Sequence, residues 1–105
     1  MTIPITRAEA YNTASMLKIK NLAFIDGKFS GAEDGATFDT LNPATEKLIT
    51  KVTHCGAKDV DRAVKAARRV FNAGTWSRVS PEARKEVLLR LADLIRTNAI
   101  ELAVL

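Results

Sequence analysis

Thr37–Thr50, TFDTLNPATEKLIT, places an Asn-Pro-Ala-Thr corner between two β-prone runs. Pro43 fixes its own φ and pushes Asn42 out of the helical region, so the chain must stay extended and then turn. Leu48–Thr53, LITKVT, is rich in β-branched residues and reads as the strand that leaves the corner.

Upstream, Leu22–Ser30, LAFIDGKFS, reads as two short extended pieces around Asp26-Gly27, a dipeptide suited to a type I′ turn because both positions accept positive φ. A second loop, Gly31–Gly35, leads into the strand before the corner. Further back, Thr6 followed three residues later by Glu9 forms a capping box, with Ile5 placed as a hydrophobic staple against Ala10. Ala10, Ala14 and Leu17 then share one weak stripe, so this first helix is expected to lean on something else.

Downstream the pattern turns helical. Val60, Ala63, Val64, Ala67, Val70 and Phe71 keep to one face at a 3.6-residue period. Asp59 and Asp61 fall in the first turn, where the macrodipole favours acids, and Gly74 is placed to stop the helix. Ala57, at the expected cap position, offers no side-chain acceptor. After the linker GTWSRV, Ser80 and Pro81 supply an N-cap and first-turn pair. Val87, Leu88, Leu91, Leu94, Ile95, Ala99 and Leu102 then form a wide apolar face expected to run as one helix to the last residue. No Gly, Pro or basic residue closes that helix at AIELAVL, so the chain reads as cut.

The 105 residues suffice for one domain or part of one, with a small core. A 47% hydrophobic and 27% charged composition is that of an ordered globular chain. The net charge of +4 is interspersed; its densest basic patch, RAVKAARR, alternates with Ala and Val and reads as a solvated helix face. No nucleic-acid partner is expected, because such binding shows as a clustered basic stripe. The connection between the last two helices is also longer than a helix-turn-helix uses. Cys55 is the only cysteine, which excludes an intrachain disulfide and suits a reducing cytosol. No apolar run approaches the ~18 residues of a membrane span, so a cytoplasmic chain without a membrane partner is expected.

The residues present point to no chemistry of their own. His54 and Cys55 are adjacent on a strand-like run, where successive side chains point to opposite faces and cannot converge on a metal or form a nucleophile–base pair. Trp76 reads as a core lid over the helix–helix junction rather than a base-stacking platform. The five glycines make neither G-x-G-x-x-G nor a P-loop, so no phosphate cradle is encoded here.

Taken in order, FIDGKF, TFDTLNPATEKLI, DVDRAVKAARRVF, Trp76 and RKEVLLRLADLI resemble the N-terminal segment of the NAD(P)-dependent aldehyde dehydrogenase superfamily over Leu22–Leu105. The helix before Leu22 looks like the leading extension of the branch handling amino- and γ-glutamylamino-aldehydes. The resemblance implies an α/β fold class: an N-terminal helix (residues 1–21, an extension), short antiparallel β-hairpin strands, then two amphipathic helices. Residues 22–105 would be the incomplete N-terminal portion of a cofactor-binding domain.

The parent reaction implied is NAD(P)-dependent oxidation of an aldehyde to a carboxylic acid, through a cysteine thiolate, hydride transfer and a glutamate base. The family's motifs for that cysteine, that glutamate and the glycine-rich cofactor turn belong to later parts of its sequence, and Cys55 does not occupy the nucleophile's place. The chain alone is therefore expected to be inactive and to bind no cofactor itself, NAD or NADP belonging to the parent. Members with a bound monovalent cation take a ligand from the strand before Asn-Pro. Here that implies the Leu41 backbone carbonyl with Thr40 beside it, a half site whose carboxylate would lie beyond Leu105. Carbonyl oxygens suit a hard cation because they are fixed dipoles with no proton to lose. The exposed helix faces imply self-association, and a standalone oligomerisation or interaction module is the rival reading.

Overall fold

A computed structural model describes residues 5–105; residues 1–4 of the expected N-terminal extension lie outside the described residues. The elements run α1 (Arg7–Met16), β1 (Ala23–Ile25), β2 (Lys28–Ser30), β3 (Thr37–Leu41), β4 (Leu48–Thr53), α2 (Ala57–Ala73), α3 (Pro81–Thr97) and α4 (Ala99–Val104). They fall into two compact bodies, Ile19–Arg78 and the pairing of residues 5–18 with Val79–Leu105.

In the Ile19–Arg78 body, β1 and β2 form an antiparallel hairpin with Phe24 opposite Phe29. Their rings lie 5.1 Å apart, a cross-strand aromatic pair. Asp26 and Gly27 both take positive φ, 54° and 77°, as the expected type I′ turn requires. The second hairpin pairs Thr37 with Thr53, Phe38 with Val52 and Thr40 with Thr50, then Leu41 with Leu48. Two β4 steps against one β3 step make a bulge that leaves Ile49 unmatched beside the corner.

Helix α2 begins one residue earlier than the sequence pattern indicates. Its N-cap is Gly56, and Ala57 is already inside the first turn. Gly56 supplies no side-chain acceptor, but the Asp59 carboxylate reaches back to the Gly56 N–H at 3.0 Å, the return half of a capping box. Gly74 ends the helix with φ 74°, its N–H donating to the Val70 and Phe71 carbonyls.

In the other body, α1 carries both halves of its capping box: the Glu9 N–H donates to Thr6 Oγ1 and the Thr6 N–H to Glu9 Oε2. The Thr6 N–H and the Thr6 hydroxyl both donate to Glu9 Oε2, at 2.7 and 2.8 Å, and hold the Glu9 carboxyl below its ordinary value of 4.5. The helix packs on α4, the support that the sequence leaves unspecified. Ser80 caps α3 by accepting the Ala83 N–H at 3.2 Å, with Pro81 in the first turn. The expected single C-terminal helix is broken. Asn98 adopts φ −104° and ψ 21°, and its side-chain amide donates to the Leu94 carbonyl at 2.8 Å, closing α3 before α4 restarts at Ala99. A short amide side chain competes for backbone groups in this way, here at a carbonyl that also accepts the Asn98 N–H at 3.0 Å.

Burial departs from expectation. Among the described residues Ala66 is the only buried apolar side chain, and Asp59 is the only buried charged one. The predicted face of α2 is offset: β1 packs against it, while Val60, Val64 and Phe71 stay 57%, 58% and 61% exposed. Trp76, expected in the core, is 45% exposed.

Candidate functional site

The Asn-Pro corner is built by short-range hydrogen bonds. Asn42 Oδ1 accepts the Ala44 N–H at 2.9 Å, a side-chain mimic of a backbone turn. The Asn42 carbonyl accepts from Glu46 at 2.7 Å and Thr45 at 3.3 Å, and the Asn42 N–H donates to the Lys47 carbonyl across the turn. Glu46 absorbs the reversal with φ 56°. Thr40 and Leu41, the residues implied as cation ligands, close β3 against the bulge; Thr40 is half-buried and Leu41 exposed. Nearby, Asp39 is engaged by Lys51 Nζ at 2.6 Å. Two carbonyls are fewer than the six or so oxygens a hard cation takes. No group of three or more His, Cys, Asp and Glu side chains is arranged to hold a metal among the described residues.

The second constellation centres on Asp59, 2% exposed. One carboxylate oxygen accepts the Glu33 N–H at 3.1 Å and Arg62 Nη2 at 3.1 Å; the other accepts the Gly56 N–H. Asp59 thus ties the Gly31–Gly35 loop to the start of α2. Sequence reading placed an acid there for the macrodipole but missed the clamp. A Gly three residues before an Asp at a helix start was the available signal, while the Glu33 contact, 26 residues away, had none.

Around this clamp a cleft of about 510 Å³ runs between the first hairpin and α2, lined by Lys28, Lys58, Asp61, Arg62, Lys65 and Arg69 among others. Most of its charges are already matched. Lys58 meets Glu33 at 2.9 Å, Lys65 meets Asp61 at 2.7 Å, and Arg69 meets Asp26 at 2.5 Å. The hydrogen bond from Lys65 to Asp61, followed by the charge of Asp61, raises the Lys65 pKa above its ordinary value. These are exposed ion pairs, each a minor contribution: Arg69–Asp26 ties the first hairpin to α2, Lys58–Glu33 ties the Gly31–Gly35 loop to it, and Lys65–Asp61 lies within the helix.

His54 and Cys55 do not act together. The His54 ring stands edge-on to Phe38 at 6.1 Å, and Cys55 is exposed. Trp76 lines a groove of about 530 Å³ with Ile25, Ala67, Val70 and Phe71. Its position there, at a groove open to solvent, accounts for its exposure.

Residues 29–105 match the model of the aldehyde dehydrogenase family. Along its whole length the chain is 45% identical to an aminoacetaldehyde dehydrogenase of Pseudomonas aeruginosa, of which it covers 21%. It is 45% identical over 92 residues to the NADP/NAD-dependent aldehyde dehydrogenase PuuC of Escherichia coli, covering 88% of this chain and 19% of that one. The backbone overlays the γ-glutamyl-γ-aminobutyraldehyde dehydrogenase of Burkholderia cenocepacia with a TM-score of 0.91 at 45% identity, over 95% of this chain and 20% of that one. The match to an indole-3-acetaldehyde dehydrogenase of P. syringae, solved in complex with NAD+, also has a TM-score of 0.91, at 44% identity and over 96% of this chain. The chain thus spans about a fifth of the length of the relatives it matches.

Proposed function

Because the chain belongs to the aldehyde dehydrogenase family, we propose that it serves as the N-terminal structural segment of an enzyme oxidising an aldehyde to a carboxylic acid with NAD or NADP. The observation that carries this reading is the overlay at a TM-score of 0.91 on dehydrogenases of which the chain is only a fifth. The aminoacetaldehyde and γ-glutamyl-γ-aminobutyraldehyde dehydrogenases among its relatives favour an amino- or γ-glutamylamino-aldehyde as the parent substrate class.

These residues hold no phosphate cradle for a dinucleotide: the glycines at 27, 31, 35, 56 and 74 lack the required spacing. The cofactor is therefore assigned outside them, and no chemical step is routed through this chain. Its contribution is geometric. One body carries the two hairpins and α2, with the Asp59 clamp tying the Gly31–Gly35 loop to the helix; the other carries α1, α3 and α4. The Thr40 and Leu41 carbonyls are assigned to a monovalent-cation site completed elsewhere in the parent.

No helix among the described residues is long and apolar enough to cross a membrane; a cytoplasmic location is part of this reading. The test is reduction of NAD+ or NADP+ by the purified chain with a panel of aldehydes, aminoaldehydes included. No absorbance change at the nicotinamide wavelength is expected, and measurable turnover overturns the assignment.

A second reading, a non-enzymatic oligomerisation module, is favoured by α3. Val87, Leu88, Leu91, Leu94 and Ile95 fall within an arc of about 120° on the helix, and each is about half exposed. In isolation such a face favours self-association.

A further inference from the structure

The chain contains two Asp-Gly pairs, Asp26-Gly27 and Asp34-Gly35. Such pairs are open to backbone isomerisation, because glycine has no Cβ to shield its nitrogen from the neighbouring carboxyl. Both pairs are exposed, and both glycines are left-handed, with φ 77° and 73°. A Cβ built at either would meet nothing within 4 Å, so packing shields neither. The pairs differ in what restrains the reacting groups.

In the Gly31–Gly35 loop both groups are held locally. The Gly35 N–H donates to the Ala32 carbonyl at 3.0 Å, and Asp34 Oδ1 accepts the Ala36 N–H at 2.9 Å. An aspartate bonded to the backbone two residues on is fixed by its own turn. In the first hairpin Ile25 pairs with Lys28, so Asp26 and Gly27 are the whole loop. The flanking residues make the ladder bonds of such a turn, and among the described residues no backbone carbonyl takes the Gly27 N–H. The Asp26 carboxylate is instead held from 43 residues away, Oδ1 accepting from Arg69 Nη2 of α2.

We propose that Asp26-Gly27 is a latent isoaspartate site and that the Arg69 guanidinium guards it. In the reaction the Gly27 nitrogen bonds to Asp26 Cγ and gives up its proton, one carboxyl oxygen leaves as water, and a cyclic succinimide closes. Water then adds to the former Asp26 main-chain carbonyl, the original peptide C–N bond breaks, and the chain continues through Cγ. One water leaves and one returns, so mass is unchanged and no oxidant or further reactant is required.

Arg69 opposes the first step in two ways. Cγ reaches the Gly27 nitrogen only when the Asp26 side chain turns back over its own peptide, whereas the ion pair holds it toward α2. The guanidinium also occupies Oδ1 with a donor that does not surrender its proton, while an oxygen must gather protons to leave as water. An exposed pair adds little to global stability, yet this one acts on the reacting carboxyl itself. The product carries one extra main-chain carbon, which does not fit a two-residue turn in register. The Phe24–Phe29 contact at 5.1 Å then opens, and the hairpin loses its tie to α2.

The purified 105-residue chain and its Arg69→Gln variant are incubated near neutral pH, and isoaspartate at each pair is read by electron-transfer fragmentation of proteolytic peptides. Asp26 is expected to isomerise slowly in the native chain and far faster in urea, where neither pair is restrained. Arg69→Gln should raise the Asp26 rate roughly two- to fivefold, the factor released with an exposed ion pair, and leave Asp34 unchanged. Added salt, which screens such a pair, should move the unsubstituted chain the same way without any change to the helix.

An Asp26 rate indifferent to the substitution or to salt overturns the proposal. So does a parallel rise at Asp26 and Asp34, because Arg69 would then act by loosening the whole body rather than by guarding one turn. Native isomerisation of Asp26 as fast as in urea overturns it too, since the turn would have no guard.

Discussion

Asp59 accepts two backbone hydrogen bonds and one from Arg62, and it is the only charged side chain buried among the described residues. Truncation strands the Glu33 and Gly56 N–H groups in a partly buried setting, where each unmet donor is costly. Asp59→Ala is expected to lower stability by about 2 to 3 kcal/mol, read as a shift in urea midpoint. Asp59→Asn should lose less, because an amide oxygen still accepts. Glu9 gives a pH signature. Its pKa is depressed in the folded helix, first by its backbone hydrogen bond with Thr6 and then by the side-chain one. A depressed carboxyl stabilises above its ordinary value of 4.5 and loses that contribution as pH falls through the folded value. The NMR helical shifts of residues 7–16 should therefore fray on acidification below pH 4.5, and Glu9→Gln should flatten this response; identical titrations would contradict it.

At the scale of elements, α2 depends on its terminator. Gly74 sits at φ 74°, and a Cβ there would collide with the Arg78 guanidinium, which donates to the Asn72 carbonyl at 2.6 Å. Gly74→Ala should cost about 1 to 2 kcal/mol by thermal or urea unfolding, from left-handed strain together with the displaced Arg78. The charged cleft behaves differently. Its ion pairs are exposed, so screening by salt should change stability only slightly. The second hairpin owes its corner to Pro43 and the Asn42 side chain, both visible in the sequence, but its bulge at Ile49 is visible only once the two strands are laid in register.

For the molecule as a whole, the deciding quantity is apolar surface without a cover. Leu91, Leu94 and Ile95 of α3 are 50%, 54% and 50% exposed. Light scattering of the purified chain is expected to report concentration-dependent association, reduced by Leu91→Asp; a monomer at high concentration would contradict the self-association reading.

Local chemistry was determined by the sequence. The Asp26-Gly27 turn, the Thr6–Glu9 box, the Ser80-Pro81 start and the Gly74 stop each depend on a few neighbouring residues, whose dihedral preferences and hydrogen-bonding groups act over one turn. Ordered motifs likewise identified the family before any coordinates. The tertiary structure alone decided that Asn98 divides the last helix, that Asp59 clamps a loop 26 residues away, and that β1 covers α2 at Ala66 and leaves Val60, Val64 and Phe71 open. A periodic apolar stripe says that a helix has something to bury. Which flank is buried, and by what, depends on surfaces brought together from distant parts of the chain, and helical periodicity carries no information about them.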